Sequence, residues 1–444
     1  MADIKRLKKG LDIPLSGALT EKVTVDTTGK MFAIAPDDYP GLKWRLAVAA
    51  GDKVEKGSPI LTDKAESGIT IVSPVAGTVK EVVRGDRRKI ERIVMEREGD
   101  LQAPLNVDFS TSESTRNTLL ASGLWALLRQ RPYDIVPKAD AQFRDIFVTA
   151  FDSAPLAPEI IPANCQDDLD EGLRILTTLT DGKVYLGTRF GAGISAKYAE
   201  VTEYQGPHPA GNVGVQVAAT RPVNKGETVL ALDARTAVRI GRLSRTGELD
   251  TDAEVAVTGP EIDTPQTVIT KIGASVDDLV KGNLRRNPDE LRIISGNVLT
   301  GHRVHLSYGF LRFPYRQVTV ILEGDKADEF MGWASMNPKK FSVKRTFPAF
   351  LRGLKKPFDF DSRIKGGHRA MILSGEYDKV FPFDIYPEYL LKAIIAKDID
   401  RMEQLGIYEV APEDFALPEF VDTSKIPLQQ VVREGLDYLR SETE

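Results

Sequence analysis

At 444 residues the chain is too long for one hydrophobic core, and about three or four domains are expected. A formal net charge of -5 leaves nucleic acid without an electrostatic footprint, and 42% hydrophobic with 28% charged residues is an ordinary globular composition. Cys165 is the only cysteine, which excludes an iron–sulfur cluster or a cysteine-type zinc site held by this chain alone, and no apolar run approaches the ~18 residues of a membrane span.

Residues 1–40 open basic, with Lys5, Arg6, Lys8 and Lys9, and continue through LDIPLSGAL as an extended N-terminal segment with turns. Residues 41–99 read as short strands broken by Gly and Asp, from Trp44 to a last strand carrying Ile90, Ile93 and Val94. The stretch from Gly51, GDKVEKGSPILTDKAESGITIVSPVAGTVKEVVRGD, has the pattern of a lipoyl or biotinyl carrier domain, a barrel-sandwich. Lys64 is the candidate attachment point. A carrier lysine sits at a tight hairpin tip, about eleven residues before the SPxAG glycine, and two further residues keep the strand phase while enlarging the turn. Lys64 precedes Gly77 by thirteen, with Ser67-Gly68 between, and so reads as an exposed loop lysine.

Residues 100–250 alternate strand and helix. A helical pattern begins near Ser112, carries Leu119 and Leu120, and stops at Gly123. Ile146–Thr149 is an apolar strand, followed by the loop APLAPEIIP. Asp167–Leu179 is an amphipathic helix, with Leu169, Leu173, Leu176 and Leu179 on one face. Lys183–Leu186 and Val201–Tyr204 are further strands. This βαβ order predicts a Rossmann-like parallel sheet with its ligand crevice at the strand C-termini. Gly191-Ala-Gly-Ile-Ser-Ala196 matches GxGxxA, but too few residues follow for a crossover helix, so no dinucleotide is expected there. His208, clamped between prolines in GPHPAG on the ligand side, is a candidate contact.

In 251–330, strands at Glu254–Thr258, Gln266–Lys271 and Leu291–Ser295 surround a helix at Asp277–Val280, with Ser275-x-x-Asp278 as its capping start. The expectation is a small β-grasp module. His302 and His305 have no acid or thiol beside them and predict no metal site. Residues 331–444 read as mostly helical. One helix starts at Pro387, runs through Leu390, Leu391, Ile394, Ile395, Ile399 and Met402, and stops at Gly406; another spans Leu428–Leu439. Pro338–Phe358 holds seven Lys or Arg, four Phe and no acid. Lys339, Lys340, Lys344, Arg345, Lys355 and Lys356 are candidates for docking to membrane-embedded partners.

LKKGLDIPLSGAL, SGLWALLRQRPYDIVPKAD, IFVTAFDSAPLAPE, LTDGKVY, GPHPAGNVG, KIGASVDDL, RIISGNVLTG and KFSVKRTF span nearly the whole chain. With these motifs it resembles the A-subunit family of the bacterial Na+-translocating NADH:quinone oxidoreductases (Na+-NQR). The resemblance implies a cofactor-free subunit, peripheral on the cytoplasmic side of the inner membrane, with five partner subunits that hold the flavins and iron–sulfur centres. The complex passes electrons from NADH to ubiquinone and exports Na+. It further implies an SLBB-like β-grasp and an α/β domain similar to the flavin-binding subunit of complex I and the C-subunit of the Rnf complex, the latter being the alternative reading.

In those relatives a glycine-rich loop wraps the flavin phosphate. The aligned stretch here runs from Leu124 to Pro132 and carries Trp125, Leu127, Leu128 and Arg129 in place of glycines. The implied quinone candidates are Trp125, Arg129, Arg131 and Tyr133 on this loop, with His208 opposite. Arg131 and His208 are the expected donors to a quinone oxygen, and Trp125 and Tyr133 the expected ring contacts. A carrier protein and an Rnf-type flavoprotein are the competing classes.

Overall fold

The computed structural model describes residues 3–19, 24–26, 29–65, 68–325, 337–344, 347–351 and 356–443. Four architectures follow one another: a barrel-sandwich, a doubly covered α/β sheet, a β-grasp unit and a helical end, as the composition of each stretch predicts.

The barrel-sandwich pairs a four-stranded sheet (Met31–Ile34, Ile90–Gly99, Ala76–Arg84, Lys53–Val54) with a three-stranded one (Trp44–Leu46, Pro59–Asp63, Thr70–Val72). Ile60, Val79, Ile93 and Met95 are fully buried between them. Gly77 is required by packing, since a Cβ there would stand 1.9 Å from the Glu96 carbonyl oxygen on the neighbouring strand. The Asp63 N–H bonds the Ile69 carbonyl at 3.0 Å and closes the hairpin. Lys64 is therefore the first residue of the loop, exposed, with its own N–H on the Lys43 carbonyl at 2.7 Å.

The α/β sheet has the strand order Asp3–Arg6, Glu200–Gln205, Val184–Arg189, Ile146–Thr149, Val229–Asp233, Arg129–Arg131. All neighbours are parallel except the last pair. Alternation along Ile146–Thr149 sorts its side chains: Ile146 and Val148 join the cluster with Leu169, Leu173, Ala237 and Val238, while Phe147 meets Val217 and Val229 on the other face. The helices Gln166–Leu176 and Ala234–Thr246 cross tightly on the first face. A Cβ on Gly172 would lie 1.9 Å from the Ala237 carbonyl oxygen, and one on Gly241 1.8 Å from that of Asp168.

The amphipathic helix expected over Asp167–Leu179 runs Gln166–Leu176 and finishes in a 3-10 turn, Thr177–Leu179. Three elements of this domain lie outside the sequence expectation: Val213–Thr220, Val229–Asp233 and Ala234–Thr246. The last has an apolar face through Ala234, Ala237, Val238 and Gly241, and buries arginines beside it. Arg235 and Arg239 lie inside, with Arg235 on Asp250 at 3.1 Å.

The β-grasp sheet runs His302–Val304, Leu291–Ser295, Gln317–Leu322, Asp252–Thr258, Gln266–Lys271, Thr24–Asp26. Its helix is Val276–Val280, and the expected Ser275 to Asp278 capping box is not made. Ser275 occupies the N-cap with extended backbone and no side-chain bond. The extended N-terminal segment thus supplies Asp3–Arg6, Thr24–Asp26 and Met31–Ile34 to three different sheets.

In the helical end, the single helix expected from Pro387 to Gly406 is two, Pro387–Ile395 and Ile399–Gln404. Lys397 takes a left-handed φ of 55°. Asp398 then caps the second helix through the Arg401 N–H at 3.2 Å, a stronger start signal than the apolar spacing that bridges the break. Gly406, at φ 87°, ends it as expected. The final helix is Leu428–Thr443. Among the described residues no helix is long and apolar enough to cross a membrane.

Candidate binding cleft

A cleft of about 740 Å³ opens at the C-terminal ends of Ile146–Thr149 and Val229–Asp233, the ligand side of a parallel sheet. Residues 37–40 of the barrel-sandwich, 296–302 and 312–317 of the β-grasp unit, and 412–433 of the helical end complete its walls. Leu127, Phe151, Leu299, Phe313 and Tyr315 give it apolar and aromatic surface; Arg129, His208, Asn297, Arg312 and Arg433 give it polar atoms.

His208 and Arg129 are brought together on this cleft. Burial pushes the His208 imidazole down to about 4, so the ring is neutral near pH 7. Its Nδ1 lies 3.0 Å from Ser153 Oγ, and its main-chain N–H donates to Asp12 Oδ1 at 2.9 Å. The Gly211 N–H already donates to Ser153 Oγ at 2.8 Å. In the tautomer in which Ser153 donates to Nδ1, the ring N–H sits on Nε2. Arg129 is spent on backbone: it donates to the carbonyls of Asp38 (2.7 Å), Leu128 (2.9 Å) and Ala126 (3.1 Å), and lies over the Phe313 ring at 5.4 Å. It forms a wall more than a free donor.

Trp125, Arg131 and Tyr133 do not line this cleft. Gly123, left-handed at φ 74°, turns the chain so that the Trp125 ring enters the core. There its Nε1 donates to the Pro137 carbonyl at 2.9 Å, and the ring packs on Phe143 and the Arg116 guanidinium. Arg131 is buried as a clamp on the helical end, at 2.8 Å from Asp414 and 2.9 Å from Glu413. Asp414 and Glu413 offset part of the cost of burying it. Tyr133 packs edge-on against Tyr408 with its hydroxyl 3.3 Å from Thr443 Oγ1.

His302 also lines the cleft, with Nδ1 3.3 Å from the Tyr315 hydroxyl; burial, and then the Arg312 charge, push it down to about 4. His305 instead stacks on Tyr308 at 4.3 Å. The two histidines take different partners. Of the cleft-lining ionisable groups, seven are carboxylates (Asp37, Asp38, Asp134, Asp152, Asp233, Glu413, Glu419) and four are guanidiniums (Arg129, Arg312, Arg316, Arg433). Arg312 holds Asp38 at 2.6 Å, Arg316 pairs with Asp233 and Arg433 with Asp437 at 2.8 Å, so three of the four are already paired. Enclosure in the wall, and then the adjacent Asp414, push the Glu413 carboxyl up to about 8. Sequence reading missed Asn297, Arg312, Phe313, Tyr315 and Arg433. Only the run Arg312-Phe-Pro-Tyr-Arg316, dense in aromatic and basic groups, carried a local signal.

Of the candidate docking cations, Lys339 and Lys356 are exposed and Lys344 pairs with Glu376 at 3.7 Å. Lys340 is buried, with Nζ 5.4 Å from the Phe347 ring, and so is not a surface charge. Arg345 and Lys355 lie outside the described residues.

Three family profiles match in succession: the NqrA N-terminal barrel-sandwich hybrid domain over residues 5–98, the NqrA second alpha/beta domain over 110–249, and the NQRA C-terminal domain over 254–305. The chain is 36% identical to the A-subunit of the Na(+)-translocating NADH-quinone reductase of Rhodopirellula baltica, covering 99% of this chain and 98% of the relative. It is 35% identical to that of a Marinomonas species and 37% to that of Serratia proteamaculans, each over 98% of this chain and 99% of the relative.

Proposed function

The chain belongs to the NqrA family, the A-subunits of the Na(+)-translocating NADH-quinone reductases, and from that membership we propose that its cleft receives ubiquinone at the quinone-reducing end of the complex. The subunit is part of an oxidoreductase assembly that couples NADH oxidation to Na+ transport. In this reading it is catalytically incomplete alone, carries no redox group, and attaches through five partner subunits to the cytoplasmic face of the inner membrane.

The observation that carries the reading is the chemistry of the cleft wall. Carboxylates outnumber guanidiniums, and the arginines are held by Asp38, Asp233, Asp437 or backbone carbonyls, so an anionic phosphate meets a poor site. A neutral ring with two carbonyl acceptors fits better. Phe151, Leu299 and Phe313 offer it apolar surface, and the uncharged His208 offers an N–H donor without the cost of burying a cation. The filled loop at Leu124, Trp125 and Leu128, all buried, supports the absence of a flavin, since no glycine there lets backbone amides approach a phosphate.

Two measurements on the full chain test this. An absorption spectrum of the purified protein is expected to show no flavin or iron–sulfur bands; a yellow protein would support the Rnf-type reading instead. Titration with a short-chain ubiquinone is expected to show saturable binding that Leu299→Trp, which fills the cleft, weakens by about tenfold or more. Equal binding by both proteins would remove the cleft from the account.

A further inference from the structure

A second, smaller cavity of about 20 Å³ adjoins the cleft and shares Asp233, Arg312 and Arg316 with its wall. It is lined as well by Arg239, which does not line the cleft. Three stretches of chain meet there: the helix Ala234–Thr246 with Asp233 at its N-cap, the β-grasp residues Ala253, Ile272 and Gly273, and the run from Leu311 to Arg316.

The guanidiniums around this point outnumber their carboxylate partners by one. Arg235 holds Asp250 at 3.1 Å, Arg312 holds Asp38 at 2.6 Å, and Arg316 pairs with Asp233. Asp250 is shared with Arg242 at 3.0 Å, and the other oxygen of Asp233 accepts from the Thr236 N–H at 2.8 Å. Arg239 pairs with no carboxylate among the described residues. Its Nη2 donates to the Asp252 carbonyl at 2.8 Å, while the Asp252 carboxylate turns to Lys271 at 3.0 Å. Arg239 is only 7% exposed, and its Nε–H meets no acceptor among the described residues. The Nε–H of Arg316 is likewise buried and without an acceptor. Burial, and then the like charge of Arg235, push the Arg239 guanidinium down to about 10, so it still carries its charge at pH 7.

A buried cation without a counter-charge strongly destabilises a fold. Here the excess is one charge, and the cavity has room for one atom-sized species. A water molecule accepts from N–H groups but leaves the charge uncompensated, and a tetrahedral oxyanion is larger than the space. Ala253, Ile272 and Leu311 make the rest of the lining apolar, which strengthens any ionic contact inside. We propose that this cavity binds a single monovalent anion of halide size, chloride in ordinary buffers, between Arg239 and Arg316. The ion joins the α/β domain to the β-grasp unit beneath the cleft wall, whatever occupies the cleft itself.

The test is the thermal midpoint of the full chain, titrated with sodium chloride in exchange for sodium gluconate at constant ionic strength. The midpoint is expected to rise by about 2 °C or more and then level off, as the filling of one site does, and bromide is expected to act alike. Arg239→Met keeps the reach of the side chain and removes the excess charge; it is expected to hold its midpoint in gluconate and to lose the halide response. The anomalous signal of bromide soaked into wild-type crystals needs no variant and is expected as a peak between Arg239 and Arg316. A midpoint indifferent to halide, an equal response in Arg239→Met, or a cavity holding only water while bromide sits on the exposed surface would each overturn the proposal.

Discussion

His208 joins the chemistry of the cleft to the stability of the fold. Its ring is held neutral inside the protein at about 4, while the unfolded chain has the ordinary histidine value near 6.5. Between those values the unfolded state binds a proton that the native state refuses. The stability tied to this group is therefore complete above pH 6.5 and is lost as pH falls toward 4, by up to roughly 3 kcal/mol. His208→Asn keeps a polar side chain and abolishes the titration. Urea midpoints across this range are expected to fall less steeply for the variant, with His302, shifted the same way, retaining part of the slope. Identical slopes would contradict the buried neutral imidazole. The residue was legible because prolines flank it at a strand end, where a parallel sheet keeps its ligands. Its partners Ser153 and Asp12 were not, since they lie 55 and 196 residues away. Trp125 shows the opposite failure. A large aromatic residue on a loop aligned with a ligand site invites a binding role, but one left-handed glycine before it sends the ring into the core.

At the scale of elements, one helix of the crossing pair was recognised by its leucine face, and its partner, with an apolar face of Ala, Val and Gly among arginines, was not. Leu169, Leu173 and Leu176 mark their helix plainly. The partner helix Ala234–Thr246 carries Arg235, Arg239, Arg242 and Arg245 beside an apolar face of Ala237, Val238 and Gly241. In the fold Arg242 and Arg245 pair with Asp168 on the first helix at 3.2 and 2.6 Å, and Arg242 also reaches Asp250 at 3.0 Å. Ion pairs thus flank an apolar seam built from Ala237, Val238 and Gly241 instead of leucine. The crossing depends on two glycines more than on those pairs. Gly241→Ala places a Cβ 1.8 Å from the Asp168 carbonyl oxygen, and neither backbone can move without the sheet below it. A loss of roughly 2–4 kcal/mol is expected, read as a lowered denaturant midpoint at unchanged slope. Alanine at Gly247, a left-handed C-cap with open space around it, is expected to cost only about 1 kcal/mol.

For the whole molecule, the segment at the N-terminus is the organising device. Strands from its first 34 residues enter the α/β, β-grasp and barrel-sandwich sheets in turn, and Asp38 then meets Arg312 on the cleft floor. That stitching holds the domains around one cavity. It was not legible, because short strands of three or four residues carry too little alternation to announce their partners. The domain types were readable from turn spacing and apolar runs, whereas the cleft was readable only at Arg129 and His208. Asn297 and Arg312 come from the β-grasp unit and Arg433 from the helical end, and they share no local pattern. The central claim is that this inter-domain cavity is the quinone-binding part of the protein. Photo-crosslinking the full-length protein with a ubiquinone analogue and mapping the labelled peptides tests it most directly. The account predicts labels within 149–160, 208–213 and 296–317, suppressed by excess unlabelled ubiquinone; labels confined to other surfaces, or unaffected by that competition, would contradict it.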